Sequence, residues 1–409
     1  MVDSDLLRVS QLNRNELENL PSPPLRQRGY IPPIGKGLRL AEEVRRDFTE
    51  QSCNYFETVN KVKDDGGCSL KIQRILLFVL FFVIPIFAGC GTPGVQPYDT
   101  SGEYLWPAPP AESRIKWLRE WRNRYDFGKP SKLMTFLMGK EQIEYLRRPQ
   151  AVVADSSGNV YAADSEWHAV FVFDKEKNSL RFIGEGTLGI PVGLAMDNKR
   201  GILYVSDSKA ERVFGFDKNT GRLVLNLGAP GELKNPTGLV FDEERDRLYV
   251  SDTKNNIVRV YDKSGSPLFT IGRRGHDAGE FSYPTYLALD KSGILYVVDS
   301  FNFRVQVFDP DGKFLKKFGR LGDSSGQFSR PAGIGVDSEG HIYVVDTSFG
   351  VFQIFDIEGR LLLWVGQGGP KPGEFSLPTG MFIDKEDRIY VADTFNRRIQ
   401  VFQYLREKK

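Results

Sequence analysis

Three histidines, His168, His276 and His341, are the only imidazoles in a chain of 409 residues, and its three cysteines, Cys53, Cys68 and Cys90, all fall in the first quarter. Imidazole and thiolate are what zinc sites and activated nucleophiles are built from, so their placement decides much of the chemistry open to the chain. Residues 91 to 409 hold no thiol, which removes disulfides, cysteine nucleophiles and cysteine-held metals from that stretch. His168 follows one candidate strand and His276 lies in a connection, whereas His341 sits in a turn that opens on the opposite side of the same pattern. No common zinc ion is expected from the three. Aspartates recur instead, as Asp207, Asp252, Asp299 and Asp393, with Arg212, Arg304 and Arg398 five positions after three of them. Such regularity predicts turn hydrogen bonds and ion pairs, not catalysis. Ser-His-Asp sets, Gly-rich phosphate loops and haem-attachment cysteine pairs are not visible in this region. The expectation is no catalytic residue, no metal and no cofactor.

The elements that carry these residues follow from composition and periodicity. With 40% hydrophobic and 26% charged residues the chain can bury a substantial core, and 55 basic against 53 acidic residues leave a net charge of +2. That balance lacks the excess a polyanion-binding surface needs, so nucleic acid is not an expected partner. A proline followed by apolar residues and an aspartate recurs as Pro149 to Asp155, Pro191 to Asp197, Pro236 to Asp242, Pro284 to Asp290, Pro331 to Asp337 and Pro378 to Asp384. Each copy continues with a turn and a strand carrying Tyr161, Tyr204, Tyr249, Tyr296, Tyr343 or Tyr390, then a strand ending in Phe173, Phe216, Tyr261, Phe308, Phe355 or Phe402. Five copies add a fourth strand closed by Gly184, Gly228, Gly272, Gly319 or Gly366. Short strands separated by Gly and Asp turns predict four-stranded propeller blades. Residues 149 to 409 resemble the NHL repeat, with Pro284-Thr-Tyr-Leu-Ala-Leu-Asp290, Ile294-Leu-Tyr-Val-Val-Asp299 and Asn302-Phe-Arg-Val-Gln-Val-Phe308 a good match. The resemblance implies an all-β, six-bladed propeller. After the repeat prolines stand Gln150, Val192, Thr237, Thr285, Ala332 and Thr379, with no carboxylate to hold a hard cation at the axis.

The sixth copy lacks a fourth strand, and an open outer edge is something closed rings avoid. Residues 114 to 121, Arg-Ile-Lys-Trp-Leu-Arg-Glu-Trp, are the expected donor, with a short amphipathic helix over residues 130 to 138 completing a segment that runs to 148. Upstream, residues 90 to 113 carry five prolines and read as an extended tether. Residues 70 to 89 hold basic residues, then an apolar run from Ile75 to Ala88, then Gly89 before Cys90. Fourteen residues make roughly 21 Å of helix at ~1.5 Å each, short of a ~30 Å bilayer core, so a cleaved signal peptide is expected. Phe87-Ala88-Gly89-Cys90 resembles the lipobox of bacterial lipoproteins, which implies lipid attachment at Cys90. Gly91 after it implies the outer membrane over the inner. Residues 1 to 69 are polar and proline-interrupted and read as a disordered or mis-assigned N-terminal extension: either translation starts later, at Val62 or Leu70, or the stretch is a cytoplasmic tail.

Loops after the second-strand aspartates depart from the repeat and are expected on the face that also holds the connections between blades. Blades four, five, six and one offer Phe301, Phe349, Phe395 and Trp167, an aromatic arc if exposed; blades two and three offer Lys209 and Lys254. Aromatic surface of this kind marks a protein partner. Folding inward to replace the lost Asn and Arg contacts of blades one and five is the competing expectation. Arg147, Arg148, Arg273, Arg274 and Arg330 precede strands on the same face and form a candidate acidic-ligand site. The chain is thus expected to be a monomeric, non-enzymatic scaffold that is held to the cell envelope by its lipid and binds another envelope protein. A propeller lyase or hydrolase, metal-dependent lactonase, esterase or amidating-lyase-like, with its site at the channel mouth, is the alternative.

Overall fold

A computed structural model describes residues 102–127 and 144–406. The extension to residue 69, the signal peptide, Cys90, the first part of the tether and the helix expected over 130 to 138 lie outside the described residues. The fold is a six-bladed all-β propeller. Two strands precede the ring, β1 (Leu105–Trp106) and β2 (Ile115–Trp121). Blade one holds β3 (Pro149–Ala154), β4 (Val160–Asp164), β5 (Ala169–Asp174) and β6 (Ser179–Ile183), and blade two β7 (Pro191–Asp197), β8 (Ile202–Asp207), β9 (Arg212–Asp217) and β10 (Leu223–Leu227). Blade three holds β11 (Pro236–Asp242), β12 (Arg247–Asp252), β13 (Ile257–Asp262) and β14 (Pro267–Ile271), and blade four β15 (Pro284–Leu289), β16 (Leu295–Asp299), β17 (Arg304–Phe308) and β18 (Phe314–Phe318). Blade five holds β19 (Pro331–Val336), β20 (Ile342–Asp346), β21 (Val351–Phe355) and β22 (Leu361–Val365), and blade six β23 (Pro378–Ile383), β24 (Arg388–Asp393) and β25 (Arg398–Tyr404).

Strand β2 completes blade six, its register running from Ile115 opposite Tyr404 to Trp121 opposite Ile399. The closure expected from residues 114 to 121 is therefore present. Trp117 Nε1 donates to Gln400 Oε1 at 3.0 Å and Arg398 meets Glu120 at 2.8 Å, so polar bonds fix the register that burial of Ile115 and Trp121 drives. One part of the tether reading is corrected. Leu105–Trp106 pairs with β2 as a fifth strand, and Trp106 sets its ring edge-on to Phe402 at 5.8 Å, so these two residues belong to the blade. A two-residue edge offers little backbone for a stray strand to join.

The second and third strands of each blade are buried almost throughout, and apolar side chains fill the space between successive blades. Each buried aromatic or branched side chain contributes roughly 1.5–3 kcal/mol. Hydroxyls latch neighbours together: Thr253 donates to Pro284 O at 2.8 Å, Ser300 to Pro331 O at 3.1 Å and Thr347 to Pro378 O at 2.8 Å. Thr394 donates to Pro149 O at 2.8 Å and closes the ring. No helix among the described residues is long and apolar enough to cross a membrane.

Candidate functional site

The first strand of every blade lines the central channel, and in every blade its register slips just after the proline. Such a bulge re-aims side chains, here toward the axis. The second residue after the proline is small in five blades, Ala151, Gly193, Gly238, Gly333 and Gly380, because blade meets blade there. A Cβ on Gly380 would stand 2.5 Å from Gln150 O. Blade four alone has a large residue at this position, Tyr286. Its hydroxyl donates to Gln150 O at 3.2 Å on blade one, across the ring, and burial pushes its phenol up to about 12. The space in the channel is lined by Tyr286 and the residues beyond it, and by none of the six that directly follow the prolines. Tyr286 thus plugs the channel at the end where the blades connect. Sequence reasoning passed over it as an ordinary repeat position; the signal was one tyrosine in a column of Gly and Ala.

Around that plugged end, six buried aspartates organise the loops. In blades four and six the carboxylate takes side-chain donors: Asp299 meets Asn302, Arg304 and Gln306 at 2.8, 2.9 and 3.1 Å, and Asp393 meets Asn396, Arg398 and Gln400 at 2.9, 2.7 and 3.0 Å. Blades one and five lack the Asn and Arg, and there Asp164 and Asp346 accept backbone N–H groups on both sides, from Arg147, Arg148, Glu166 and Trp167 and from Ser329, Arg330, Ser348 and Phe349. Desolvation by burial holds Asp164, Asp299, Asp346 and Asp393 above the usual carboxylate range. The expected ion pairs form for Arg304 and Arg398. Arg212 does not join them: its guanidinium donates to Asn226 Oδ1 at 3.1 Å and Gly228 O at 2.8 Å. Asp252 is instead met by Arg259, two residues beyond the place of the repeat arginine, at 2.7 Å.

The expected aromatic arc divides in two. Phe301 and Phe395 stand 60% and 57% exposed, whereas Trp167 and Phe349 are half-buried. Trp167 lies over blade one, stacked on Phe182 at 5.9 Å and edge-on to Phe171 at 5.8 Å, with Nε1 donating to Tyr145 O at 2.9 Å. Phe301 stacks on Tyr283 at 4.3 Å; Leu377, at the corresponding position of blade six, is exposed. Tyr283 and Leu377 directly precede the strand prolines and were not singled out from the sequence. Lys209 and Lys254 are exposed on blades two and three. The five arginines are spread over three connections. Arg147 places its guanidinium 4.4 Å from the centre of the Trp167 ring, Arg148 lies 5.9 Å from that of Phe395, Arg273 pairs with Glu280 at 2.9 Å, and Arg274 and Arg330 are exposed.

The histidines are held apart. His276 Nδ1 bonds Asn302 Oδ1 at 2.6 Å, His341 Nδ1 bonds Asp337 Oδ2 at 2.9 Å, and His168 Nδ1 bonds Gly189 O. Among the described residues no three His, Cys, Asp or Glu side chains gather in a metal-holding group.

A family model described as a 6-bladed beta-propeller matches residues 238–305 and 291–352, and the NHL repeat model matches residues 146–173. No curated protein matches the chain significantly. Among solved structures, an auxiliary nutrient binding protein from Bacteroides thetaiotaomicron is 17% identical, with 63% of this chain and 69% of that one covered and a TM-score of 0.51. A structural genomics protein of unknown function from the same organism is 18% identical, covers 63% and 70%, and scores 0.50. A streptogramin B lyase is 13% identical, covers 64% and 84%, and scores 0.48. At these identities the likeness to the two Bacteroides proteins is one of fold alone.

Proposed function

We propose that this propeller is a non-enzymatic scaffold of the bacterial cell envelope that holds a protein partner on the face where its blades connect. The supporting observation is the pair of exposed apolar patches there, Tyr283 with Phe301 on blade four and Leu377 with Phe395 on blade six. Aromatic side chains that stand free of a packed core are what interface hot spots are made of. The channel mouth on this face, where the alternative lyase or hydrolase would place its site, is filled by Tyr286. A lipid on Cys90 would keep the ring at a membrane, the outer one by the residue that follows, and the prolines up to Pro97 would lengthen the tether.

The test is affinity purification from the native envelope after mild crosslinking, with the wild-type chain and with Phe301→Ala, Phe395→Ala. A stoichiometric protein recovered with the wild type and depleted at least tenfold with the double variant is expected; equal recovery removes the patches as the site. The N-terminal peptide from the same sample is expected to be a diacylated Cys90. An unmodified chain beginning upstream of residue 90 would overturn the anchor alone.

A further inference from the structure

Below the Tyr286 plug the channel widens into a blind cavity of about 370 Å³ that opens among the turns joining first and second strands. That volume lies in the range of small-molecule sites. The blind end is Tyr286, with Gly193, Gly238 and Gly380 around it. Half-buried Val240, Leu289, Val336, Phe382 and Ile383 supply apolar wall. Each first strand pairs on one side only, so alternate backbone N–H and C=O groups also face the space and offer hydrogen bonds without charge.

Charge enters at the opening. Two carboxylates there are neutralised, Asp242 by Arg245 at 3.0 Å and Glu244 by Lys199 at 3.2 Å. Two are not. Glu243 accepts from Asn198 N at 2.8 Å and Nδ2 at 3.1 Å, and Asp290 accepts from the backbone of Ser292 at 2.8 Å and Ile294 at 3.0 Å. Neither is in an ion pair among the described residues. The ammonium that lines the same opening, Lys291, reaches across to Ser338 O at 3.4 Å.

We infer that this cavity binds a small organic molecule with an apolar ring or branched body and a neutral or cationic polar end, taken up body first from the turn end. The body lies against Phe382 and the face of Tyr286, where ring packing adds to area burial. Its polar end stays at the opening, and an anion is refused there by Glu243 and Asp290, a discrimination that salt weakens. The site lies at the opposite end of the channel from Phe301 and Phe395, so it operates independently of the protein partner.

Three probes of one shape separate the possibilities: 2-phenylethylamine, 2-phenylethanol and phenylacetate, titrated by ligand-observed NMR into the full-length chain. Saturable binding of the amine and the alcohol is expected, with phenylacetate at least tenfold weaker. Val336→Phe, which fills the wall, is expected to weaken amine and alcohol at least tenfold, and Glu243→Gln to narrow the gap between amine and phenylacetate. If Val336→Phe fails to fold, Val240→Phe makes the same test on another blade. The inference is overturned if neither amine nor alcohol binds, if phenylacetate binds as well as the amine, or if both filling variants leave binding unchanged.

Discussion

The two ends of the ring solve the same problem with different materials. Where the blades connect, polar groups are buried: six aspartates with no exposed surface, hydroxyls latching blade to blade, a tyrosine laid across the axis. At the turn end, most of the aspartates closing the first strands are buried too, Asp197 completely, but they meet tyrosine hydroxyls and cations that water partly reaches, as Asp155 does with Tyr161 and Lys218 and Asp384 with Tyr390 and Arg388, and the channel stands open. A buried polar group costs free energy unless it is satisfied, and where water reaches its partner, water can replace part of what that partner supplied. The connection end is therefore the less tolerant of change, and the turn end the more adaptable. That contrast suits an apolar docking face on the first and a ligand opening on the second.

Blade six carries both materials in one sheet and gives the sharpest test. Arg398 is fully buried against Asp393 at 2.7 Å, whereas Arg388 pairs with Asp384 at the same distance but with its side chain 28% exposed. Arg398→Ala strands a buried carboxylate and is expected to cost about 3–5 kcal/mol. Arg388→Ala lets water reach Asp384, which keeps its bonds from Tyr390 and from the backbone of residues 386 and 388, and should cost less, about 1–2 kcal/mol. Urea denaturation of both variants measures the difference, and equal losses would break the contrast between the ends.

Tyr286 tests the plug. Tyr286→Phe keeps the ring and loses one hydrogen bond, about 1 kcal/mol. Tyr286 is half-buried, so Tyr286→Ala should cost about 2 kcal/mol, at the low end of large-to-small truncations. The distinguishing readout is access. In the alanine variant alone, the backbone amides of residues 150, 192 and 237 should exchange faster with deuterium.

Much of this was legible in the sequence because it repeats. Proline, aspartate, tyrosine and glycine recur at matched positions, and each recurrence marks a strand end, so blade boundaries and the closing strand could be read directly. What could not be read depends on contacts between distant residues. Leu105–Trp106 is too short to carry a periodic signal and is a strand only because β2 is there to pair with. Arg259 replaces an arginine missing at Ile257 by reaching back along its own strand. For Trp167 both exposure and inward folding were open, and what decides for the inward one is the surface that Phe171 and Phe182 form under it.

His341 brings pH into the turn end. The hydrogen bond to Asp337 raises its imidazole above the ordinary value of 6.5, and its ring lies edge-on to Tyr404 at 5.5 Å in the closing blade. A raised folded-state value means the protonated form is favoured on folding. The stabilisation is fully present below about pH 6.5 and is lost as pH rises through the folded-state value. Against His341→Gln, the wild type should be more stable by up to about 1 kcal/mol at pH 5.5 and by nothing at pH 9. A gap that widens with pH would show that the imidazole is held neutral.

The smallest expected effect lies between two copies of one tyrosine. Tyr343 donates to Asp337 Oδ2 at 2.9 Å, while Tyr204, equally buried, has a hydroxyl with no partner among the described residues, the matching Asp197 being paired with Arg200 at 2.8 Å. An unmet buried hydroxyl carries its desolvation cost with no return, and removing it should be neutral or favourable. Tyr204→Phe is thus expected to leave stability unchanged or raise it by up to about 1 kcal/mol, and Tyr343→Phe to lower it by about 1 kcal/mol or more. Thermal unfolding of the two variants side by side reads the sign. If Tyr204→Phe is the more damaging, then its hydroxyl has a partner in solution, and the opening beside Asp197 and Asn198 is more ordered than that of a site that admits ligands freely.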